Sequence, residues 1–263
     1  VLTNLIVVFV MTTIIHTAET LSYAVRLAGV RLNKIAVALS LTGIIVLVSR
    51  TANMVQGPIA AKFVDYGRTH ASFPMLHYLR VTLLGASVGT LIAIMLFPTC
   101  VNLFGRMISK LEVAGSVPKM ISSVTIGQLK NTRHYIRLPR FNWRRFRYLD
   151  ISKTFMLLSM LVTSFYTVGV LSALYAAHLY PHLSTTASQA SGIINGLATI
   201  MLTIFIDPQL GLITDKALSN PEYRTKLGKI YVALMTARFF GTLLAQLIVV
   251  PAAYVIGYFV TTI

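Results

Sequence analysis

The sequence predicts an all-α polytopic membrane protein with six transmembrane helices, arranged as two inverted three-helix repeats. Three observations predict it. First, 56% of the residues are hydrophobic and 11% charged, with a mean hydropathy of +0.74, a profile outside that of soluble globular domains. Second, the apolar residues gather into runs of about 20, the length that crosses a bilayer core as an α-helix. Third, short fragments recur in the same order. Thr42-Gly43-Ile44-Ile45 matches Ser191-Gly192-Ile193-Ile194, and the pattern P-x-x-[AG]-x-x-x-D occurs at Pro58–Asp65 and again at Pro208–Asp215. GTLIA (89–93) matches GTLLA (241–245), each with a proline downstream, Pro98 and Pro251. Three helices per half is an odd number, so the second half would be inverted relative to the first, a symmetry common in secondary transporters. Chance matching among Leu, Ile, Gly and Ala is the competing explanation.

Span 1 is expected over roughly residues 2–25. Its start, VLTNLIVVFVMTT, lacks the basic n-region and cleavage site of a signal peptide. Its second half places His16, Glu19, Tyr23 and Arg26 on one helical face. A short loop with Arg26, Arg31 and Lys34 leads to span 2, roughly 35–57. Span 2 carries Arg50, then Asn53 and Gln56, and is expected to stop at Gly57-Pro58. Residues 58–80 are expected as a connecting loop. Span 3, roughly 81–104, is rich in small residues at GASVGT (85–90), which favours close helix contact, and Pro98 should kink or end it.

Residues 105–153 form a long basic segment with 11 Lys/Arg, in which Tyr135, Phe141, Trp143, Phe146 and Tyr148 alternate with arginines. Span 4 is expected over roughly 154–177, followed by a short loop containing His178 and His182. Span 5, roughly 188–206, should stop at Asp207-Pro208, and 207–229 should be a loop. Span 6, roughly 230–260, contains Arg238 and Gln246 and is interrupted by Pro251. The chain thus divides into a first membrane half (1–104), a basic loop (105–153) and a second membrane half (154–263).

Charge sets the expected orientation. The loops after spans 1, 3 and 5 hold 3, 11 and 4 Lys/Arg, and those after spans 2 and 4 hold 3 and 0. Cytoplasmic loops carry the excess of Lys and Arg, so both termini should be extracytoplasmic. The net charge of +16 then reflects inward-facing loops, with 133–153 lying on anionic membrane lipids, rather than a nucleic-acid partner.

Motifs for catalysis are missing from the sequence. It has no HExxH, no Walker A and no paired intramembrane acids. Its one cysteine, Cys100, excludes an internal disulfide and a Cys/His zinc site. No metal and no cofactor are expected. What stands out instead is charge inside the expected spans: Glu19, Arg50 and Arg238. Each costs about 2.5–3.5 kcal/mol at a helix centre on insertion scales, so such residues face a bundle interior or a wet cavity and mark pathways. For Arg50, snorkelling to a headgroup or a static interhelical pair are the alternatives. Arginine's planar fork suits a diphosphate, and Glu19 would serve as its counter-ion or as a proton-coupling group. The candidate binding residues are Arg50, Arg238, Glu19, His16, Arg26, Asn53 and Gln246. Pro58, Asp65, Asp207, Pro208 and Asp215 are candidate gates, or simply helix stops followed by turns.

The stretches SYAVRLAGVR (22–31), VSRTANMVQGP (48–58) and IDPQLGLITDKA (206–217) resemble the Amj family of bacterial lipid II flippases, which serve as an alternate to MurJ. The resemblance implies a flippase rather than an enzyme, in the bacterial cytoplasmic membrane. Its implied substrate is lipid II, an undecaprenyl diphosphate carrying a sugar–peptide headgroup, moved from the inner to the outer leaflet for peptidoglycan synthesis. The residues alone leave open a transporter of another polyprenyl lipid or a small anion, and a non-transport scaffold for cell-wall synthesis. A scaffold would tolerate loss of Arg50 and Glu19 but not of the arginines in 133–147, and a flippase would show the reverse.

Overall fold

The computed structural model describes residues 1–116, 118–119 and 151–263, and every described regular element is helical. In chain order these are α1 (Leu2–Arg31), α2 (Ile35–Thr69), α3 (Met75–Ala114) and α4 (Lys153–Leu179). A 3-10 turn (Pro181–Leu183), α5 (Ser184–Gln189), α6 (Ser191–Met201), a π-helical segment (Leu202–Ile206), α7 (Asp207–Ser219) and α8 (Pro221–Thr262) follow. Six stretches are long and apolar enough to cross a membrane; the fifth is the composite Pro181–Ser219. The protein is therefore a multi-pass helical membrane protein. The basic, aromatic segment 133–150 lies outside the described residues.

The helices outrun the expected spans, and the prolines explain how. Pro58 does not end the second helix, and the expected loop over 58–80 is mostly helical: α2 continues to Thr69, and only 70–74 connect it to α3. Past the proline, Ala60, Phe63, Val64 and Gly67 stay buried on one face, so tertiary contact carries the helix through the single lost backbone bond. Pro98 likewise lies inside α3, which runs ten residues into the segment expected as a basic loop. The Asp207-Pro208 stop is also corrected. The chain passes through the π-helical turn Leu202–Ile206 and continues as α7, with the proline in its first turn. Pro208 has no N–H to offer, and the π turn re-routes the freed carbonyls.

True ends carry recognisable chemistry. The α1–α2 turn uses Asn33 in the left-handed region (φ 57°), which asparagine tolerates. The Lys34 N–H then reaches back to the Gly29 carbonyl at 2.8 Å. Ser152 caps α4 by accepting from the Phe155 N–H at 3.1 Å, and Asn220 caps α8 through the N–H groups of Glu222 and Tyr223.

Two apolar cores hold the bundle. One gathers Leu27, Ile108, Leu227, Tyr231 and Leu234; the other gathers Phe63, Leu79, Leu83, Val168 and Ile256. Helix α1 packs on both α2 and α3, and α4 packs on both α6 and α8. Helix α3 crosses α8, with the Ser87 and Thr242 hydroxyls 3.0 Å apart. Gly89 and Gly241 both sit at close helix crossings. A Cβ on Gly89 would strike the Thr13 carbonyl of α1, and one on Gly241 would strike the Met160 carbonyl and Thr163 of α4. Only a missing side chain lets these backbones approach so closely.

Candidate functional site

Two contiguous cavities, of about 280 and 170 Å³, lie inside the bundle between α1, α2, α4 and α6–α7, the smaller mostly polar and the larger mostly apolar with charged residues set into its wall. They share six lining residues: His16, Glu19, Arg50, Tyr166, Thr167 and Thr199. Helical period builds the lining. On α1, Thr12, His16, Glu19, Tyr23 and Arg26 form one stripe; on α2, Thr42, Val46, Ser49, Arg50, Asn53 and Gln56 form another. Residue α8 Arg238 reaches into the larger cavity, as do Leu202, Ile206 and Asp207 from the π turn and the start of α7.

The electrostatics centre on Glu19. Its Oε2 lies 3.2 Å from Nη2 of Arg238, the two side chains being 17% and 19% exposed. Its Oε1 accepts from the Ser49 hydroxyl at 2.9 Å. One carboxylate therefore ties α1 to α2 and α8. Arg50 has a different environment: it lines both cavities together with Tyr166 and, like Arg26, belongs to no ion pair among the described residues. At the end remote from Arg26, the Gln56 amide donates to the Thr12 hydroxyl at 2.7 Å. Four buried polar atoms of the lining lack a hydrogen-bond partner among the described residues: His16 Nδ1, Arg26 Nε, Ser159 Oγ and Arg238 Nε. Buried polar groups are ordinarily hydrogen-bonded, so these four mark the part of the lining that the described residues leave unsatisfied.

Of the residues singled out from sequence, His16, Glu19, Arg26, Arg50, Asn53 and Arg238 line these cavities. Gln246 is not among the lining residues; its amide donates to the Arg80 carbonyl at 3.0 Å. Asp207, expected as a gate beyond a helix end, lines the larger cavity instead. Glu19 is consequently not the only acid within the helical spans. Asp65 lines a separate cavity of about 360 Å³ with Lys62 and Tyr66. Pro58, Pro208 and Asp215 are exposed positions within helices rather than turns. Sequence reading missed the whole of the α4 contribution, Ser159, Thr163, Tyr166 and Thr167, together with Asn195 and Thr199 of α6. Their signal was present as polar residues at i, i+4, i+7 and i+8 in an otherwise apolar span.

The mouth of the cavities is defined by which lining residues are exposed. These are Val46, Arg50, Asn53, Thr199 and Asp207, and all belong to α2 or to the α6–α7 segment. Lining residues from α1, α4 and α8 are buried or half-buried. The opening therefore lies in the flank of the bundle, between α2 and the α6–α7 segment.

The family model described as Amj, alternate to MurJ, matches residues 11–260. A relative from Bacillus subtilis (strain 168), named lipid II flippase Amj, is 41% identical over 259 residues, covering 97% of this chain and 96% of the relative. No solved structure matches the chain. The match spans all six helices, and the stretches 22–31, 48–58 and 206–217, distant in sequence, converge on one cationic cavity. The chain belongs to the Amj family.

Proposed function

We propose that this protein is a lipid II flippase, carrying the diphosphate-linked headgroup through the Arg26–Arg50–Arg238 cavity from the inner to the outer leaflet of the bacterial cytoplasmic membrane. The observation that carries the reading is the pair of guanidiniums, Arg26 in the cavity wall and Arg50 at its mouth, neither in an ion pair among the described residues. Cations at this depth cost several kcal/mol together. A polyanion that visits the cavity offsets that cost, and a diphosphate accepts from the arginine fork in bidentate fashion. The family membership, and the name of the Bacillus subtilis relative, supply the identity of the lipid.

In the empty cavity Glu19 acts as counter-ion to Arg238. An arriving diphosphate competes for that arginine and meets the Arg26 Nε–H and the Ser159 hydroxyl, which have no partner among the described residues. Nothing in this sequence of contacts breaks a covalent bond; the protein binds, passes on and releases. We further infer that the halves are inverted repeats, supported by the close crossings at Gly89 and Gly241. The tight pairs α1–α3 and α4–α8 then act as rigid bodies, and α2 and α6–α7 as the elements that exchange access. Both termini face outward, and the basic segment 133–153 lies on the anionic inner leaflet.

The test is reconstitution. Vesicles containing the purified protein and lipid II labelled on the headgroup should expose that label across the bilayer faster than protein-free vesicles. Equal rates with and without the protein would reject the reading.

A further inference from the structure

His16 stands in the wall of both cavities and is 5% exposed. Its Nδ1 is buried without a hydrogen-bond partner, and its ring belongs to no ion pair among the described residues. Glu19 follows three residues later on the same helix face, about 4.5 Å along the axis. Both Glu19 oxygens are engaged elsewhere, one by Ser49 and one by Arg238. A buried imidazole that only packs ordinarily has its ring nitrogens bonded; this one is left facing the cavities.

The charges around His16 form two sets. The inner set is half-buried: Glu19 and Arg26 of α1 with Arg238 of α8, two cations against one anion, a net charge of +1. The outer set is exposed at the mouth: Arg50 of α2 with Asp207 of α7, a net charge of zero. The other titratable groups of the lining are the uncharged phenols of Tyr23 on α1 and Tyr166 on α4; α3 and α6 contribute none among the described residues. With the cavity empty, a charged imidazole would add a second uncompensated cation to the wall that holds Arg238, so the ring is neutral. A diphosphate esterified at both ends carries one ionised oxygen on each phosphorus. Its two negative charges turn the inner set from +1 to −1, and a net anion inside a bundle is costly as well. One proton restores neutrality. Of the side chains facing the cavities, imidazole is the one whose charge ordinarily changes between pH 5 and 8.

We propose that His16 is the proton acceptor of the transport cycle: its imidazole takes one proton from solvent as the diphosphate enters the cavity and returns it when the headgroup leaves. The inference rests on the flippase reading above. The bare ring nitrogen supplies the electron pair of the new N–H bond, the proton arrives through the mouth, and no bond of the lipid is broken. The imidazolium then offers two N–H donors to anionic oxygens. Glu19 stays a carboxylate, held by Ser49, and takes Arg238 back when the headgroup departs. Headgroup and proton thus each strengthen the binding of the other.

The test is proton counting. Purified parent and His16→Gln are titrated with lipid II by isothermal calorimetry near neutral pH, in buffers that differ in ionisation enthalpy. His16→Gln keeps all three arginines and should still bind. The parent should take up about one proton more per lipid II bound than His16→Gln does; any proton exchanged by the lipid's own peptide is common to both. The parent's affinity should also rise as pH falls, by at most about tenfold per pH unit for one linked proton, and this slope should be absent in His16→Gln. Equal proton counts in the two proteins overturn the assignment. Should His16→Gln fail to fold, the parent decides: its binding heat should depend on the buffer in the sense of proton uptake, and heats independent of the buffer overturn the proposal. Transport without proton uptake would leave the flippase reading standing and remove the proton link; His16-dependent proton uptake in a protein that does not transport would do the opposite.

Discussion

Replacing Glu19 with glutamine removes one charge and little else. The amide oxygen of the glutamine still accepts from Ser49, so the α1–α2 link at 2.9 Å survives, and only the attraction to Arg238 at 3.2 Å is lost. At that distance two unit charges attract by about 5 kcal/mol at an effective dielectric of 20 and by about 1 kcal/mol in bulk water. The pair is partly exposed to a polar cavity, so the lower part of that range applies, about 1–3 kcal/mol. A diphosphate that must compete with Glu19 for Arg238 should therefore bind roughly 5–150-fold more tightly to Glu19→Gln than to the parent. The same substitution leaves Arg238 uncompensated in the ligand-free protein, and its melting temperature should fall. Titration of both purified proteins with lipid II and with inorganic diphosphate, alongside thermal melts, reads both effects. Weaker or unchanged binding in Glu19→Gln would refute the counter-ion role.

Other outcomes follow from the same geometry. Gly89→Leu and Gly241→Leu should each wedge a third helix off its first helix and destabilise by more than the ~1–3 kcal/mol usual for overpacking; Gly192→Leu, which meets open space, should melt like the parent. Similar losses at 89 and 241 are expected if the halves repeat, and tolerance at either position would contradict that symmetry. Gln246→Ala should cost about 0.5–1.5 kcal/mol, the worth of its bond to the Arg80 carbonyl, and leave transport at parental rate; a transport defect without destabilisation would return Gln246 to the pathway. In a Cys100→Ser background, cysteine at position 182 should react with an impermeant thiol reagent added to intact cells and cysteine at 143 should not; the reverse pattern would invert the orientation.

The six spans and four of the charged lining residues, Arg26 among them, were legible because hydrocarbon leaves so few choices. Apolar runs of bilayer length must be helices, and Glu19, Arg50 and Arg238 stand out where charge is costly. Helix ends were less legible for the same reason. Pro58, Pro98 and Pro208 were read by the rules of aqueous helices, where water takes up a freed carbonyl and the helix stops. In a bundle, continuation with one lost bond or a π turn is the cheaper course, so Asp207 entered the cavity wall from a position expected to be a loop. The α4 stripe of Ser159, Thr163, Tyr166 and Thr167 escaped notice because hydroxyls are unremarkable in membrane helices. Ser159 has a buried hydroxyl without a partner, while Thr163 and Thr167 bond the carbonyls of Ser159 and Thr163 one turn back. Gln246 shows the converse. Polarity within a span suggested the cavity, but its rotation on α8 points it to Arg80.

The central claim is that a cationic cavity carries a diphosphate headgroup, and Arg50 tests it most directly. It lines both cavities, stands at the mouth and has no carboxylate partner among the described residues, so its removal orphans no acid. The measurement is growth of cells depleted of their other lipid II flippase and carrying the parent protein, Arg50→Ala or Arg50→Lys, with membrane levels quantified by immunoblot. Arg50→Ala should fail to sustain growth at parental protein level, and Arg50→Lys should rescue in part, since lysine keeps the charge but loses the bidentate fork. Parental growth with Arg50→Ala at parental level would contradict the account.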